Sequence, residues 1–212
     1  MDILKSRQLN GWPLFYWVAG INAVVVIAYM PTQELAAPMG VSEMIQMTVR
    51  CAVPFIYLAF AASSINVLFP GKFSRWLLRN RRSIGFSYAA AMAWQLFFIV
   101  WLWTGHWEYY TEEVYTLEDI LFQVSGYAFI FAMTVTSFQP VRSRMSLLSW
   151  RVLHKTGIYL LWYTVLSTYV YEIAVYQDRQ IVDYIFAAAG FLAYGMRVVA
   201  WARTRVAYAA RA

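Results

Sequence analysis

The segment SWRVLHKTGIYLLWYTVLSTYVYE, residues 149–172, is an almost uninterrupted apolar run with a histidine and a lysine near its start. A helix needs roughly 20 apolar residues to cross about 30 Å of hydrocarbon, and this run is long enough to do so. The chain has only two histidines, and one of them, His154, lies near the beginning of this run. The run therefore predicts a membrane-spanning helix that carries an imidazole near one end.

Composition extends this interpretation to the whole chain. Of its 212 residues, 61% are hydrophobic and 13% are charged, and the mean hydropathy is +0.50. A soluble domain is typically about half apolar and about a quarter charged. The net charge of +6 does not indicate nucleic acid as a partner, because the basic residues lie in short segments between apolar runs. The composition predicts a polytopic membrane protein whose first partner is the lipid bilayer.

Six apolar runs are long enough to cross a bilayer, which predicts an all-α fold. Residues 1–212 are expected to form a single transmembrane domain, a six-transmembrane-helix bundle. The predicted spans are 12–30, 44–69, 83–104, 118–138, 148–171 and 181–201. The first run follows a basic start without a small-residue cleavage site, which indicates a retained span rather than a removed signal. Small side chains in the last run predict close helix packing at Ala189, Gly190, Ala193 and Gly195.

The charged residues between the runs predict the orientation of the chain. The basic segments hold Lys5 and Arg7, then Lys72, Arg75, Arg79, Arg81 and Arg82, then Arg142, Arg144 and Arg151, then Arg203, Arg205 and Arg211. The acidic segments that alternate with them hold Glu34, Glu108, Glu112, Glu113 and Asp178, with Arg179 as a basic exception. Because cytoplasmic loops carry the excess of lysine and arginine, both termini are predicted to be cytoplasmic. The expected location is the inner membrane of a Gram-negative cell.

Ionisable residues inside the spans are few, and each is a candidate for function. Acidic residues lie only at span ends, which disfavours a proton-coupled transporter or pump. A retinal protein would need a lysine deep in a late span, whereas Lys155 lies only about one turn past Trp150. Arg50 is the exception, roughly two turns into the second span. It either extends toward the interface or pairs with Glu172 or Asp119, the interpretation we favour, or it contacts an anion such as a haem propionate.

The other histidine, His106, lies in a loop beside Glu108, Glu112 and Glu113. Imidazole and carboxylates together could hold a divalent cation. The spacing fits no defined metal motif, however, and the flanking tryptophans and tyrosines are typical of a membrane interface. We therefore predict a solvated loop and no metal site. The sequence also lacks a nucleophile elbow, a Cys–His arrangement and a glycine-rich phosphate loop.

Two segments resemble a known family. RWLLRNRRSIGFSYAAAMAWQ, residues 75–95, is similar to the basic entry and third helix of the ferric-reductase-like transmembrane domain family. SWRVLHKTGIY, residues 149–159, is similar to that family's W-x-x-L-H-R opening of helix 5. The closest branch is the bacterial haem-binding membrane subunit of the methionine sulfoxide reductase system. With six spans in matching order, the resemblance covers roughly residues 44–175.

The resemblance implies a b-type haem held by histidines on helices 3 and 5, and electron transfer across the membrane. His154 matches one ligand position, but the helix-3 histidine falls on Gln95 and the second helix-5 histidine on Ser167 or Thr168. A bis-His haem requires two imidazoles, so the usual sites are incomplete. Met92 would give Met/His coordination, but its depth differs from that of His154 by roughly 9 Å. We favour a neutral His154 that is bonded to a neighbouring helix over five-coordinate haem.

Three functions follow from these observations. We favour a haem-depleted member of the fold that is no enzyme by itself and acts as a non-catalytic membrane subunit, assembly partner or scaffold for a membrane protein. The alternative is an electron-transfer subunit that binds b-type haem through His154, with Arg50 and the basic segments near the propionates. Such a subunit would need a separate donor, because the chain lacks a G-x-G-x-x-G fingerprint. A third hypothesis is a quinone or pigment bound between the helices.

Overall fold

A computed structural model describes residues 3–114, 116–175 and 180–209 of the chain. All regular structure in this part of the chain is helical, and the α-helices are α1 (Trp12–Tyr29), α2 (Pro38–Leu68), α3 (Lys72–Gly105), α4 (Leu117–Val135), α5 (Gln139–Arg142), α6 (Leu147–Val175) and α7 (Ile181–Ala209). Five of them, α1, α2, α3, α6 and α7, are long and apolar enough to cross a membrane. The all-α prediction is confirmed, and the long apolar helices fit a multi-pass membrane bundle.

The helix α4 is shorter than the predicted span 118–138. It has 19 residues, and its apolar part is Ile120–Val135. The helix ends at Val135 because the following residues form a turn before Pro140, which lies in the first turn of α5. Proline has no N–H to continue the hydrogen-bond ladder of a helix. At 1.5 Å per residue, α4 is about 28 Å long, close to the thickness of a hydrocarbon core.

Other helices extend beyond the predicted spans. The segment Lys72–Arg82, which hydropathy places outside the third span, forms the first three turns of α3. Arginine, leucine and lysine are good helix formers, so polar residues continue the helix where the apolar run stops. The side chain of Ser74 accepts a hydrogen bond of 2.8 Å from the backbone N–H of Gly71 at the start of this helix. Hydropathy therefore locates the apolar part of a helix and not its ends.

Two clusters of buried side chains hold the bundle together. The larger one joins α2, α3, α6 and α7 and includes Phe60, Leu77 and Leu161. The smaller one joins α1, α2 and α3 near the loop after α3, and it includes Met44 and Phe98. The helix α2 contributes to both clusters, so it lies at the centre of the bundle. Its Pro54 lies within the helix, which membrane helices accommodate when neighbouring groups satisfy the backbone.

The last helix packs closely at one of its two predicted glycines. Gly190 and Ala193 are buried against the bundle, whereas Gly195 is exposed, with no atom within 4 Å of the place a Cβ would occupy. The prediction of close packing is therefore wrong for Gly195. Five residues turn an α-helix by about 140°, so Gly195 lies on the far side of α7 from Gly190.

The exterior of the bundle is apolar. Each long helix, and α4 as well, exposes large hydrophobic side chains, among them Val24, Leu58, Phe97, Phe131, Tyr163 and Phe191. Soluble monomers rarely expose contiguous apolar patches larger than a few hundred Å². A lipid environment accounts for such a surface, in agreement with the composition.

The segment before α1 is anchored to α3 by polar contacts. The buried amide of Asn80 accepts a hydrogen bond from the backbone N–H of Gly11 at 2.9 Å and donates to the side-chain oxygen of Asn10 at 3.0 Å. The same oxygen of Asn10 accepts from Arg79 at 2.6 Å. The indole N–H of Trp76 donates to the carbonyl of Leu9 at 2.8 Å. These bonds bring the N-terminal segment to the end of the bundle at which α3 begins.

Candidate functional site

The basic residues converge at one end of the bundle, where α1, α3 and α6 begin and α2 and α7 end. We call this the basic end, and the opposite end, which carries Glu34 and Glu108, the acidic end. At the basic end a cavity of about 580 Å³ lies among α2, α3, α4, α6 and α7. We call it the basic cavity. The cationic side chains that line it are Arg79, Arg81, Arg82, Arg142, Arg151, Lys155 and Arg197, together with His154. Among the described residues, no acidic side chain lines it.

The cations of the basic cavity lie at two depths. The side chains at its rim are exposed: Arg79, Arg82, Arg151 and Lys155. Arg81, Arg142 and Arg197 are only partly exposed and lie further in. Rim cations are solvated and screened, whereas charges removed from water are costly unless an opposite charge or hydrogen bonds compensate them. The inner arginines are therefore the more informative residues of this site.

Arg81 and Arg197 are held next to each other by the backbone of α2. The Nε of Arg81 donates to the carbonyl of Ala59 at 2.8 Å, and an Nη of Arg197 donates to the carbonyl of Phe60 at 3.3 Å. The guanidinium of Arg197 also lies over the rings of Phe60 and Tyr159, 4.3 and 4.6 Å from their centroids. The two carbonyls belong to adjacent residues of α2, so the two guanidinium groups lie near each other, where like charges repel. An anion between them would relieve this repulsion.

A second group on the wall of the cavity is a stack of three side chains. The guanidinium of Arg142 lies 4.7 Å from the ring centroid of Trp150, and the ring of His154 lies 4.4 Å from the same indole. The buried indole N–H of Trp150 has no hydrogen-bond acceptor within the part of the chain that the structure describes. Because a buried tryptophan N–H usually finds a partner, this donor suits an acceptor atom of a ligand.

His154 is hydrogen-bonded to the neighbouring helix connection. Its Nε2 lies 3.1 Å from the hydroxyl of Thr136, and that hydroxyl donates to the carbonyl of Ala132 at 2.6 Å. With its only proton directed to this carbonyl, the Thr136 oxygen is an acceptor, which favours a proton on Nε2 of His154. The structure therefore shows the expected bond between His154 and a neighbouring part of the bundle. This bond engages Nε2, a nitrogen through which histidine binds metals.

The other positions implied by the resemblance are engaged elsewhere. Gln95 accepts a hydrogen bond of 2.8 Å from the hydroxyl of Tyr127 on α4. Met92 packs against the larger core cluster. The hydroxyls of Ser167 and Thr168 both donate to the carbonyl of Thr164 on their own helix, each at 3.0 Å. None of these four residues lines the basic cavity with His154. The positions implied by the resemblance therefore supply no second axial ligand beside His154.

Arg50 lies outside the basic cavity. It is half-buried on α2, and its charge acts on Glu172 and Tyr169 of α6 near the acidic end. Of the two acidic partners predicted for Arg50, Glu172 is therefore in its surroundings, and the side chain of Asp119 lies outside the described part of the chain. Arg50 does not line the basic cavity with His154, and a contact between Arg50 and an anion stays a prediction.

His106 follows the last turn of α3, where its backbone N–H bonds the carbonyl of Leu102. Glu108 is exposed, and the side chains of Glu112 and Glu113 lie outside the described part of the chain. Among the described residues, no three potential metal-ligating side chains come together.

Sequence reasoning missed Arg197 and Trp150 as members of the site. An arginine inside the predicted span 181–201 is a signal in its own right, because cations inside membrane segments are costly. Its placement beside Arg81 depends on the packing of α7 and α3 against α2, which no local pattern indicates. Trp150 reads in the sequence as an interfacial residue, and its unpaired N–H is visible only in three dimensions.

The arrangement is suited to binding an anion. Its groups include arginine donors, an indole N–H and an imidazole whose Nε2 is already bonded. Deeper walls are apolar and include Ile56, Ile130 and Leu161. No family model, no curated protein and no solved structure matches the chain.

Proposed function

We propose that this protein is a six-span inner-membrane protein with both termini in the cytoplasm, and that it acts as a non-catalytic membrane subunit, assembly partner or scaffold. It would be a ferric-reductase-like bundle that has lost the haem sites of that family. The two resembling segments and the charge asymmetry of the loops support the family and the orientation. The five long apolar helices support a multi-pass protein.

One observation carries the non-catalytic part of this proposal. The positions to which the resemblance assigns further histidines hold Gln95, Ser167 and Thr168, and each of these side chains is bonded within the bundle. His154 itself uses Nε2 for Thr136. A bis-His haem would therefore need ligands that this chain does not place there. Loss of the haem would leave the helix packing intact, because each of these polar side chains has a hydrogen-bond partner within the bundle.

The test is a reduced-minus-oxidised spectrum with a haem assay on protein purified in mild detergent, with His154→Ala and, as a control, His106→Ala. We expect no stoichiometric b-type signal in the native protein or in either variant. His154→Ala should remain folded and lose about 1 kcal/mol of stability, the value of one hydrogen bond. A stoichiometric haem that disappears in His154→Ala and persists in His106→Ala would contradict the proposal.

Electron transfer is a second candidate, because His154 and the inner arginines line the same cavity. Haem is an apolar macrocycle with two carboxylates, so its propionates would suit Arg81 and Arg197. His154 would have to release Thr136 to act as an axial ligand, and the other axial position would stay open or be filled in trans. This candidate predicts a five-coordinate spectrum, which the same experiment would detect.

The orientation and the crossing of α4 are tested together by labelling. In a Cys51→Ser background, Thr32→Cys lies in the loop after α1 and Ser143→Cys in the connection between α4 and α6, and both positions are exposed. With a membrane-impermeant maleimide on cells whose outer membrane is permeabilised, we expect labelling of Thr32→Cys and protection of Ser143→Cys. Labelling of both would mean that α4 does not cross the membrane. Protection of Thr32→Cys would reverse the proposed orientation.

A further inference from the structure

We propose that the basic cavity binds one acidic phospholipid from the leaflet at the basic end, with its phosphate held by Arg81, Arg142 and Arg197. The inference goes beyond the proposed function and is independent of it, because a lipid can bind whether or not the chain has lost a haem. Three features of the cavity support it: uncompensated inner charge, free hydrogen-bond donors, and a wall that changes from cationic to apolar with depth.

The first feature is the charge. Seven lysine and arginine side chains line the cavity, and none of the described acidic side chains does. Arg81 and Arg197 carry like charges, and their hydrogen-bond partners are the backbone carbonyls of two adjacent residues of α2. A carbonyl compensates part of the lost hydration but none of the net charge. Within a membrane bundle this excess of positive charge requires an anion.

The second feature is the supply of donors. A guanidinium carries five N–H donors in a planar fork that matches the oxygens of a phosphate. Arg81 and Arg197 each use one nitrogen for α2, so the remaining donors are available to a ligand. The indole N–H of Trp150 adds a buried donor that no described residue accepts. Phosphate oxygens are the acceptors that can satisfy several such donors at once.

The third feature is the gradient along the wall of the cavity. On α6, Arg151 and Lys155 lie at the rim, and Ile158 and Leu161 line the cavity further in. The distance from Arg151 to Leu161 along the helix axis is about 15 Å. A ligand of this cavity has an anionic group at the inner arginines and an apolar part against Ile158 and Leu161. An acidic phospholipid has this form, and basic pockets between membrane helices are known to hold such head groups.

The test measures lipid binding by native mass spectrometry of the detergent-purified protein. Dioleoyl phosphatidylglycerol and dioleoyl phosphatidylcholine are titrated separately, and inorganic phosphate is added as a competitor. The variant is Arg81→Gln with Arg197→Gln. The matched control is Arg75→Gln with Arg144→Gln, which removes two exposed charges from the same end without touching the cavity. Gel filtration and thermal unfolding report whether each variant is folded.

We expect one tightly bound phosphatidylglycerol in the native protein and in the control, and weaker binding of phosphatidylcholine. The cavity variant should bind phosphatidylglycerol roughly ten- to a hundredfold more weakly, the effect of losing charged hydrogen bonds. Equal binding of the two lipids, or an equal loss in variant and control, would overturn the proposal. Displacement of the lipid by millimolar phosphate would assign the site to free phosphate and also overturn it.

Should the double variant not fold, Trp150→Phe decides the question. Phenylalanine keeps an aromatic ring beside Arg142 and removes the unpaired N–H together with the five-membered ring of the indole, and we expect about tenfold weaker binding of phosphatidylglycerol. Unchanged binding in that variant would overturn the assignment. Failure of lipid binding alone would leave the proposed non-catalytic function standing. A stoichiometric haem that occupies the cavity in place of lipid would overturn both, and the absorption spectrum of the same samples separates the two results.

Discussion

The substitution Gly190→Ala is expected to destabilise the protein by about 1 to 3 kcal/mol, the usual cost of overpacking, although alanine is the better helix former. A Cβ at this position would lie 2.7 Å from the hydroxyl oxygen of Tyr57 and 2.9 Å from a methyl group of Leu166. The carbonyl of Gly190 also accepts a hydrogen bond of 3.0 Å from the indole of Trp162. Because α2, α6 and α7 meet here, the side chains of Tyr57 and Leu166, or α7 itself, would have to shift to admit the methyl group.

Gly195→Ala is the matched control for this prediction. It lies on the same helix, and nothing occupies the space within 4 Å of its Cβ. Alanine at this position should therefore stabilise the protein by about 1 kcal/mol through its helix propensity alone. Thermal unfolding in mild detergent should show a lower midpoint for Gly190→Ala and an unchanged or higher one for Gly195→Ala. Equal shifts for the two variants would mean that α7 does not pack on α2 and α6 at Gly190.

A second substitution tests the cause of the effect. The hydroxyl of Tyr57 is buried and has no hydrogen-bond partner among the described residues. Tyr57→Phe should therefore cost little by itself and should remove the closest contact of the new methyl group. The double variant Gly190→Ala with Tyr57→Phe should recover part of the lost stability. The contact with Leu166 remains, so we do not expect full recovery.

The fold was predictable from the sequence where it depends on the length of the apolar runs. Five of the six predicted spans coincide with long apolar helices, because a run of about 20 apolar residues has few alternatives to a membrane helix. Helix ends were not predictable in the same way. Polar residues such as those in Lys72–Arg82 continue a helix at no cost outside the hydrocarbon, and hydropathy does not register them.

The candidate site was predictable only in part. His154 and the basic segments stand out in the sequence, and they do line the basic cavity. The contribution of Arg197 depends on which face of α7 turns inward, and an apolar helix of this kind gives no strong periodic signal. Gln95 and Met92 were tied to His154 through the resemblance alone. In the structure Gln95 bonds Tyr127 on α4, and Met92 packs against the larger core cluster. Neither side chain lines the cavity that holds His154.

The packing of α7 links stability and binding. Gly190 lies two turns before Arg197 on this helix, and close approach at Gly190 holds α7 against α2. The guanidinium of Arg197 reaches the carbonyl of Phe60 from this position. An outward shift of α7 would therefore lengthen that contact and separate Arg197 from Arg81. We infer that lipid binding in the cavity depends on the same packing that Gly190→Ala disturbs.

The substitution Asn80→Ala is expected to lower the free energy of unfolding by about 2 to 4 kcal/mol and to release the N-terminal segment. Asn80 is 2% exposed, and its amide bonds the backbone N–H of Gly11, the side chain of Asn10 and the carbonyl of Trp76. Each buried polar group left without a partner costs about 1 to 3 kcal/mol. Alanine would leave the N–H of Gly11 without an acceptor. It would also remove one of the two α3 side chains that bond Asn10, and only Arg79 would remain.

Thermal unfolding and limited trypsin digestion measure this effect together. Lys5 and Arg7 are exposed and lie in the segment that Asn80 anchors. Cleavage after these residues should be several times faster in Asn80→Ala, since the segment would detach more often while the bundle stays folded.

The matched control is Asn66→Ala. Asn66 lies in the last turn of α2 at the same end of the bundle, and its side-chain oxygen is buried without a hydrogen-bond partner among the described residues. Removing an amide that satisfies no partner should be nearly neutral, or slightly stabilising, and should leave trypsin cleavage unchanged. If Asn80→Ala and Asn66→Ala lower the stability of the protein equally, the hydrogen bonds of Asn80 do not hold the N-terminal segment in place. If only Asn80→Ala destabilises and exposes Lys5 and Arg7, the polar contacts of α3 position this segment beside the basic end.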